Sequence, residues 1–244
     1  MAAKPADRHH HHGHFKAEYF SSGLESALIL VAAAAILFTA MGRLFAPQPL
    51  EQLGLGLSLS IVASALNGLV ACLLLGGSRR FHSITLRADA QHLLTDVWTS
   101  LGVLLGLGLV KLTGLVILDP LIAIAVALNI TVTGWKLLRE TASGLLDRAI
   151  PDAEQRRLEA LLAARTGDGV AVHALRTRVA GSRRFVTFHL LVPGHWRVQA
   201  GHDLCERLER EIAAALPRTD VIIHLEPIED PRSWQDDGFG WEQF

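Results

Sequence analysis

The sequence predicts an α-helical membrane bundle of four spanning helices followed by a small α+β domain in the order αββαβ. Three observations carry this. Of 244 residues, 50% are hydrophobic and 19% charged, with a mean hydropathy of +0.31, which is too apolar for an ordinary soluble domain. The long uncharged runs fall between residues 20 and 140. Residues 148–244 have the charge mix of a soluble domain, and Pro151-Asp152 reads as a helix start at the boundary.

The chain opens on a polar segment, 1–20, with the run Asp7-Arg-His-His-His-His-Gly-His14. It is unlike a secretory signal. An expression tag would be longer, and this run passes without a linker into Phe-Lys-Ala-Glu-Tyr, so a natural metal-collecting loop is the preferred reading. Four segments within 21–148 can each cross ~30 Å of hydrocarbon, which takes about 20 residues. They are Leu24–Leu44, Leu53–Gly77, Ala88–Val110 and Leu115–Leu138. The first carries charge only at its rims (Glu25, Arg43), and the second carries none. Four such runs in succession argue against buried helices of a soluble protein.

Basic residues set the orientation. Lys16, Arg79, Arg80, Arg87, Lys136, Arg139 and Arg148 lie on the side of both ends of the bundle and the 78–86 loop, against Arg43 and Lys111 opposite. The positive-inside rule puts the former side in the cytoplasm of an inner (plasma) membrane protein. Gly68, Gly102, Gly106, Gly108 and Gly134 suit close helix packing.

Ionisable residues within a span are costly and so tend to be functional. The third span contains Asp89, His92 and Asp96, whose spacings of three and four put them on one helix face. An imidazole and a carboxylate one turn apart offer two ligands to a divalent ion, and nitrogen favours zinc and its neighbours. A helix–helix hydrogen bond or a snorkelling pair fits the same spacing. Asp119-Pro120 reads as the start of the fourth span.

In the soluble part, 152–165 is an amphipathic helix, and strands at Ala171–Val179 and Arg184–Val192 flank a turn. A second helix at Gln199–Ala215, a strand at Asp220–Glu226 and a tail at 231–244, expected to be disordered, complete it. The order αββαβ makes a ferredoxin-like domain over 151–230, with helices on one face of the sheet. His173, His189, His202 and His224 punctuate it, and Glu226 shares a strand face with His224. Surface or core histidines are the alternative to metal ligands. A net charge of −1 argues against nucleic acid, and Cys72 and Cys205 form neither a disulfide framework nor a zinc knuckle.

These residues together resemble the cation diffusion facilitator family of metal/proton antiporters. The resemblance rests on His-His-Gly-His-Phe-Lys-Ala-Glu-Tyr, Leu-Arg-Ala-Asp-Ala-Gln-His-Leu-Leu-Thr-Asp-Val-Trp-Thr-Ser and Leu-Asp-Pro-Leu. It continues through Gly-Leu-Leu-Asp-Arg-Ala-Ile-Pro, Val-His-Ala-Leu-Arg-Thr-Arg-Val-Ala-Gly and Val-Ile-Ile-His-Leu-Glu-Pro, from about Ala6 to Pro227. It implies that His92 and Asp96 are half of a central transport site. By the same resemblance Asp7, His10 and His14 form a cytoplasmic loop site, in which His9, His11 and His12 are additional. His173, His189, His202, His224 and Glu226 then bind metal in a dimerising cytoplasmic domain, Glu226 standing where Asp is also used. Lys16 and Asp147 resemble a charge pair holding two protomers together.

Members of the family have six spanning helices, the second supplying the rest of the central site. The four here correspond to the third to sixth, and upstream sequence is expected to encode the others. The function implied is efflux of a divalent transition metal, zinc first, with iron, cadmium, cobalt or nickel open, by proton antiport. Its partners are membrane lipid, metal ions, protons and a second copy of the chain. A non-transporting metal-binding or dimerisation protein is the alternative. No His-Glu-x-x-His motif suggests an enzyme.

Overall fold

A computed structural model describes residues 4–46, 54–81 and 83–235, with side chains 54–57 excepted. Leu53, where the second span was expected to begin, and residues 236–244 of the tail lie outside the described residues. The chain divides into two compact units, 1–146 and 147–244.

The first unit holds four long helices, α1 (Ala17–Phe45), α2 (Gly54–Phe81), α3 (Ile84–Thr113) and α4 (Leu118–Leu145), each long and apolar enough to cross a membrane. Its packing is inside-out relative to a soluble bundle. Phe20, Leu24, Leu28, Val31 and Phe38 of α1 point outward, while Ser22, Ser26, Ala33 and Ala40 are buried. Helices packed within a membrane behave this way, because lipid can solvate large side chains while small ones let backbones approach. A Cβ on Gly134 would meet Ile29 at 3.0 Å, and one on Gly102 would meet Val126 at 2.9 Å. Gly144 lies under the Tyr19 ring. Gly108, by contrast, has no neighbour within 4 Å among the described residues. The buried hydroxyls of Ser22 and Ser26 donate to the carbonyls of Glu18 and Ser22, at 2.8 and 2.6 Å, so neither is left unsatisfied in an apolar setting. Arg43 pairs with Asp119 at 3.1 Å between α1 and α4, and Arg87 with Glu140 at 2.6 Å between α3 and α4.

The second unit is α5 (Asp152–Ala163), β1 (Ala171–Ala180), β2 (Arg183–Val192), α6 (Val198–Ala215) and β3 (Thr219–Pro227). The sheet order is β1-β2-β3, with β1/β2 antiparallel and β2/β3 parallel. A two-residue turn with Gly181 at φ 56° joins the hairpin, and α6 crosses between the parallel strands. Val186, Phe188, Leu190 and Val192 of β2 pack with Leu158 and Leu162 of α5, Leu208 and Ile212 of α6, and Leu216 just past its end. Alternation then aims Thr187 and His189 to the face that the helices leave uncovered. Arg184, almost fully buried, is held by Glu154 through two bonds of 2.6 Å, which raise its pKa above the ordinary guanidinium value.

The tail begins in an ordered form: Pro231–Trp234 make a 3-10 turn, capped where the Asp230 carboxylate accepts from the Arg232 N–H at 2.9 Å. Composition suggested disorder here. The turn is secured by the Ser233 hydroxyl on the Pro227 carbonyl and by Trp234 against His173 of β1.

Candidate metal centres

The pairing register of the sheet builds the principal site. His173 of β1 lies opposite His189 of β2, which in turn lies opposite His224 of β3, giving a histidine on each strand in one row. Glu226, two residues beyond His224, points to the same face and stands among the rings. Its Oε2 is 3.2 Å from His173 Nε2 and 3.2 Å from His189 Nδ1, and its Oε1 is 3.3 Å from His224 Nε2. The His173–His189 and His189–His224 ring centroids are 4.9 and 5.0 Å apart.

These spacings suit a metal. With zinc bonds of about 2.0–2.1 Å in tetrahedral geometry, adjacent ligand atoms sit about 3.3 Å apart. His173, His189 and Glu226 converge with all three ligand atoms within 4.8 Å of one another. A carboxylate with imidazoles at both oxygens can also bridge two ions. His224 is the most open member, its side chain 64% exposed against 16% for Glu226.

An irregularity of β1 adjusts this row. The β1/β2 register shifts between His173 and Arg176, and Ala174 takes φ 51°, the left-handed region that a Cβ disfavours. Bulges of this kind re-aim side chains near functional sites. Local strain is thus placed beside His173. The fourth histidine expected as a ligand, His202, sits exposed on α6 and does not join the cluster. The reason is topological: α6 covers the opposite face of the sheet.

A second group precedes α1. Asp7 Oδ1 is 3.3 Å from His10 Nδ1, and its Oδ2 is 3.6 Å from His14 Nε2. The His10 and His14 rings are 4.2 Å apart, and His14 Nδ1 is buried without a hydrogen bond. Lys4 donates to Asp7 at 2.9 Å, and the N–H groups of His9 and His10 donate at 2.9 and 3.0 Å, an Asx-type turn. The Lys4 ammonium, then these N–H groups, hold the Asp7 carboxyl well below the usual carboxylate range. His9, His11 and His12 are not members of this converging group.

The membrane pair is less complete. His92 and Asp96 lie one turn apart on α3, both exposed in this chain, and no group of three or more ligating side chains forms there among the described residues. The amide of Asn67 on α2 donates to Asp96 Oδ2 at 3.4 Å. Sequence reasoning passed over Asn67, although a lone amide in an otherwise apolar span was a usable signal. Asp89 turns elsewhere, toward Glu25 of α1.

Comparison with known proteins identifies the family. The family profile of the cation efflux transmembrane domain matches residues 1–146, and that of the cation efflux protein cytoplasmic domain matches 150–228. The uncharacterised transporter sll1263 of Synechocystis is 53% identical over 96% of this chain and 76% of its own length. The cation-efflux pump FieF of Escherichia coli O127:H6 is 32% identical over 92% of this chain and 74% of its own. A solved structure of CzrB, described as a candidate zinc transporter, in its zinc form, is 44% identical over 33% of this chain and 92% of its own, with a TM-score of 0.31.

Proposed function

The chain belongs to the cation efflux family, whose members are metal transporters rather than enzymes, and from that premise we propose that it exports zinc from the cytoplasm in exchange for protons. The membrane crossed is the inner membrane, with both ends of the bundle cytoplasmic, as the distribution of basic residues favours.

His92 and Asp96 contribute to the cargo site. Imidazole and carboxylate bind a metal ion only when deprotonated, so protons arriving from the far side displace the ion that was loaded from the cytoplasm. Rocking of helices about this midplane pair would expose it to each side in turn. Zinc prefers about four ligands. The described residues supply two, and the remainder must come from elsewhere. Asp7, His10 and His14 gather zinc at the cytoplasmic entrance, the Asp7 carboxylate staying charged throughout the physiological pH range.

The cytoplasmic domain senses the same ion. The observation that carries the metal assignment is the row His173–His189–His224 with Glu226 at 3.2–3.3 Å from all three. Exposed His224 can offer a ligand to an ion shared with a second protomer, which would favour one dimer arrangement through its differential affinity. The CzrB likeness supports zinc as the ion, and nitrogen-rich ligation supports it over magnesium or calcium.

Zinc-driven proton flux in vesicles tests the transport reading. The 244-residue chain is reconstituted alone and, separately, within any longer gene product that carries it. Robust zinc-dependent flux in either, lost in His92→Ala, supports export. Zinc binding and dimerisation without flux in either would identify a non-transporting metal-binding protein, a reading favoured by the two-ligand membrane pair.

A further inference from the structure

Past residue 228, where the cytoplasmic family match ends, the chain doubles back on the end of the sheet. Ile228 N–H donates to the Val192 carbonyl at 2.9 Å, and the Glu229 carboxylate accepts from Gly194 N–H at 2.8 Å. Buried Ser233 donates its hydroxyl to the Pro227 carbonyl at 2.9 Å. The Arg232 guanidinium grips the Asp230 carboxylate at 2.6–3.1 Å. The result is a short strap fastened at several points, and what it delivers is Trp234. The indole N–H donates to the Ile228 carbonyl at 2.9 Å, which orients the ring, and the ring lies 5.6 Å from that of His173 at an interplanar angle of 32°.

We propose that Trp234 is a positioning residue of the cytoplasmic metal centre: its indole holds the His173 imidazole in the ligating orientation. The inference rests on the reading of His173, His189 and Glu226 as metal ligands. His173 needs such support. It follows an irregular stretch of β1 with Ala174 strained, so its backbone alone does not fix the ring. Glu226 Oε2 is one partner of the ring, and it is shared with His189. The tilted indole, itself about half exposed, limits rotation of the imidazole without competing for its nitrogens. Groups that orient a ligating histidine typically alter metal affinity 10–100-fold when removed.

The experiment uses the full chain in detergent, with His9, His10, His11, His12, His14 and His92 replaced by alanine so that the cytoplasmic centre dominates the signal. Cobalt(II) is the probe, because it absorbs in the visible when bound and quenches nearby indoles. The expected result is quenching of an emission component that W234F lacks, and an affinity about tenfold lower in W234A. W234F, which restores an aromatic face but not the bond to Ile228, should recover most of that loss. If W234A fails to fold, W234L replaces it, keeping apolar bulk without a ring face. Unchanged affinity in W234A alongside weakened binding in H173A overturns the positioning role and leaves the metal centre standing. Unchanged affinity in both overturns the centre itself and this inference with it.

Discussion

Replacing Glu226 by Gln preserves shape and removes only the charge at the centre of the histidine row. The carboxylate lies within 3.2–3.3 Å of three imidazoles, so its loss weakens every member's grip on a shared cation. If zinc binds only the folded form, it stabilises by RT ln(1 + [L]/Kd), about 2.7 kcal/mol at a free zinc concentration 100 times Kd. Loss of an anionic ligand that weakens binding about 100-fold brings the ratio near one and the gain to about 0.4 kcal/mol. For a unit of this size, 1 kcal/mol is worth roughly 4–8 °C in Tm. Calorimetry of the isolated second unit, residues 147–235, should therefore show a zinc-dependent rise of roughly 11–22 °C that falls to about 2–3 °C in E226Q. With zinc absent the two proteins should melt alike within a few degrees, since the exchange is isosteric. His202→Ala, on the other face of the sheet, should keep the full rise in dilute monomer. An undiminished zinc response in E226Q would refute the claim that this carboxylate is the shared ligand.

In whichever reconstituted form supports flux, His92→Ala and Asp96→Ala should each reduce zinc transport to background without reducing insertion, and His92→Asp should shift preference toward manganese as oxygen replaces nitrogen. Competition between zinc and manganese in the same vesicles reads this directly. The Asp7 carboxyl is held low chiefly by Lys4, so its contribution to loop order is present above the ordinary carboxylate value and lost only as pH falls through the depressed one. Lys4→Ala should bring the Asp7 titration upward toward about 3.9, as carboxyl NMR shifts would record, and no change would deny Lys4 that role. Glu154→Ala leaves the Arg184 guanidinium buried without its carboxylate and should cost about 2–3 kcal/mol in urea unfolding of the second unit, slightly below the range for a fully buried pair because Glu154 is 21% exposed. A loss under 0.5 kcal/mol on the same urea scale would mean the pair is dispensable.

Much of this protein was legible from local pattern. Uncharged runs of twenty or more residues specify spanning helices because lipid leaves the backbone no other way to satisfy its polar groups, and alternation with turn residues specifies the strands. The candidate ligands could likewise be named, since ionisable side chains are expensive in a span and histidines are conspicuous. Their grouping could not be. Sequence placed His224 and Glu226 on one strand face but had no means to align His173 and His189 with them, because register is a relation between distant segments and a one-residue slip would turn each side chain away. The irregularity at Ala174 altered that register within β1 itself. The same non-local cause separates His202, carried to the far face by α6, and turns Asp89 toward Glu25 while Asp96 meets Asn67. It also brings Trp234, in a tail whose composition suggested disorder, onto His173. Composition and periodicity determined which elements form. Only strand pairing and packing decided which side chains meet, since those contacts join residues far apart in the chain, such as Trp234 and His173, 61 positions away.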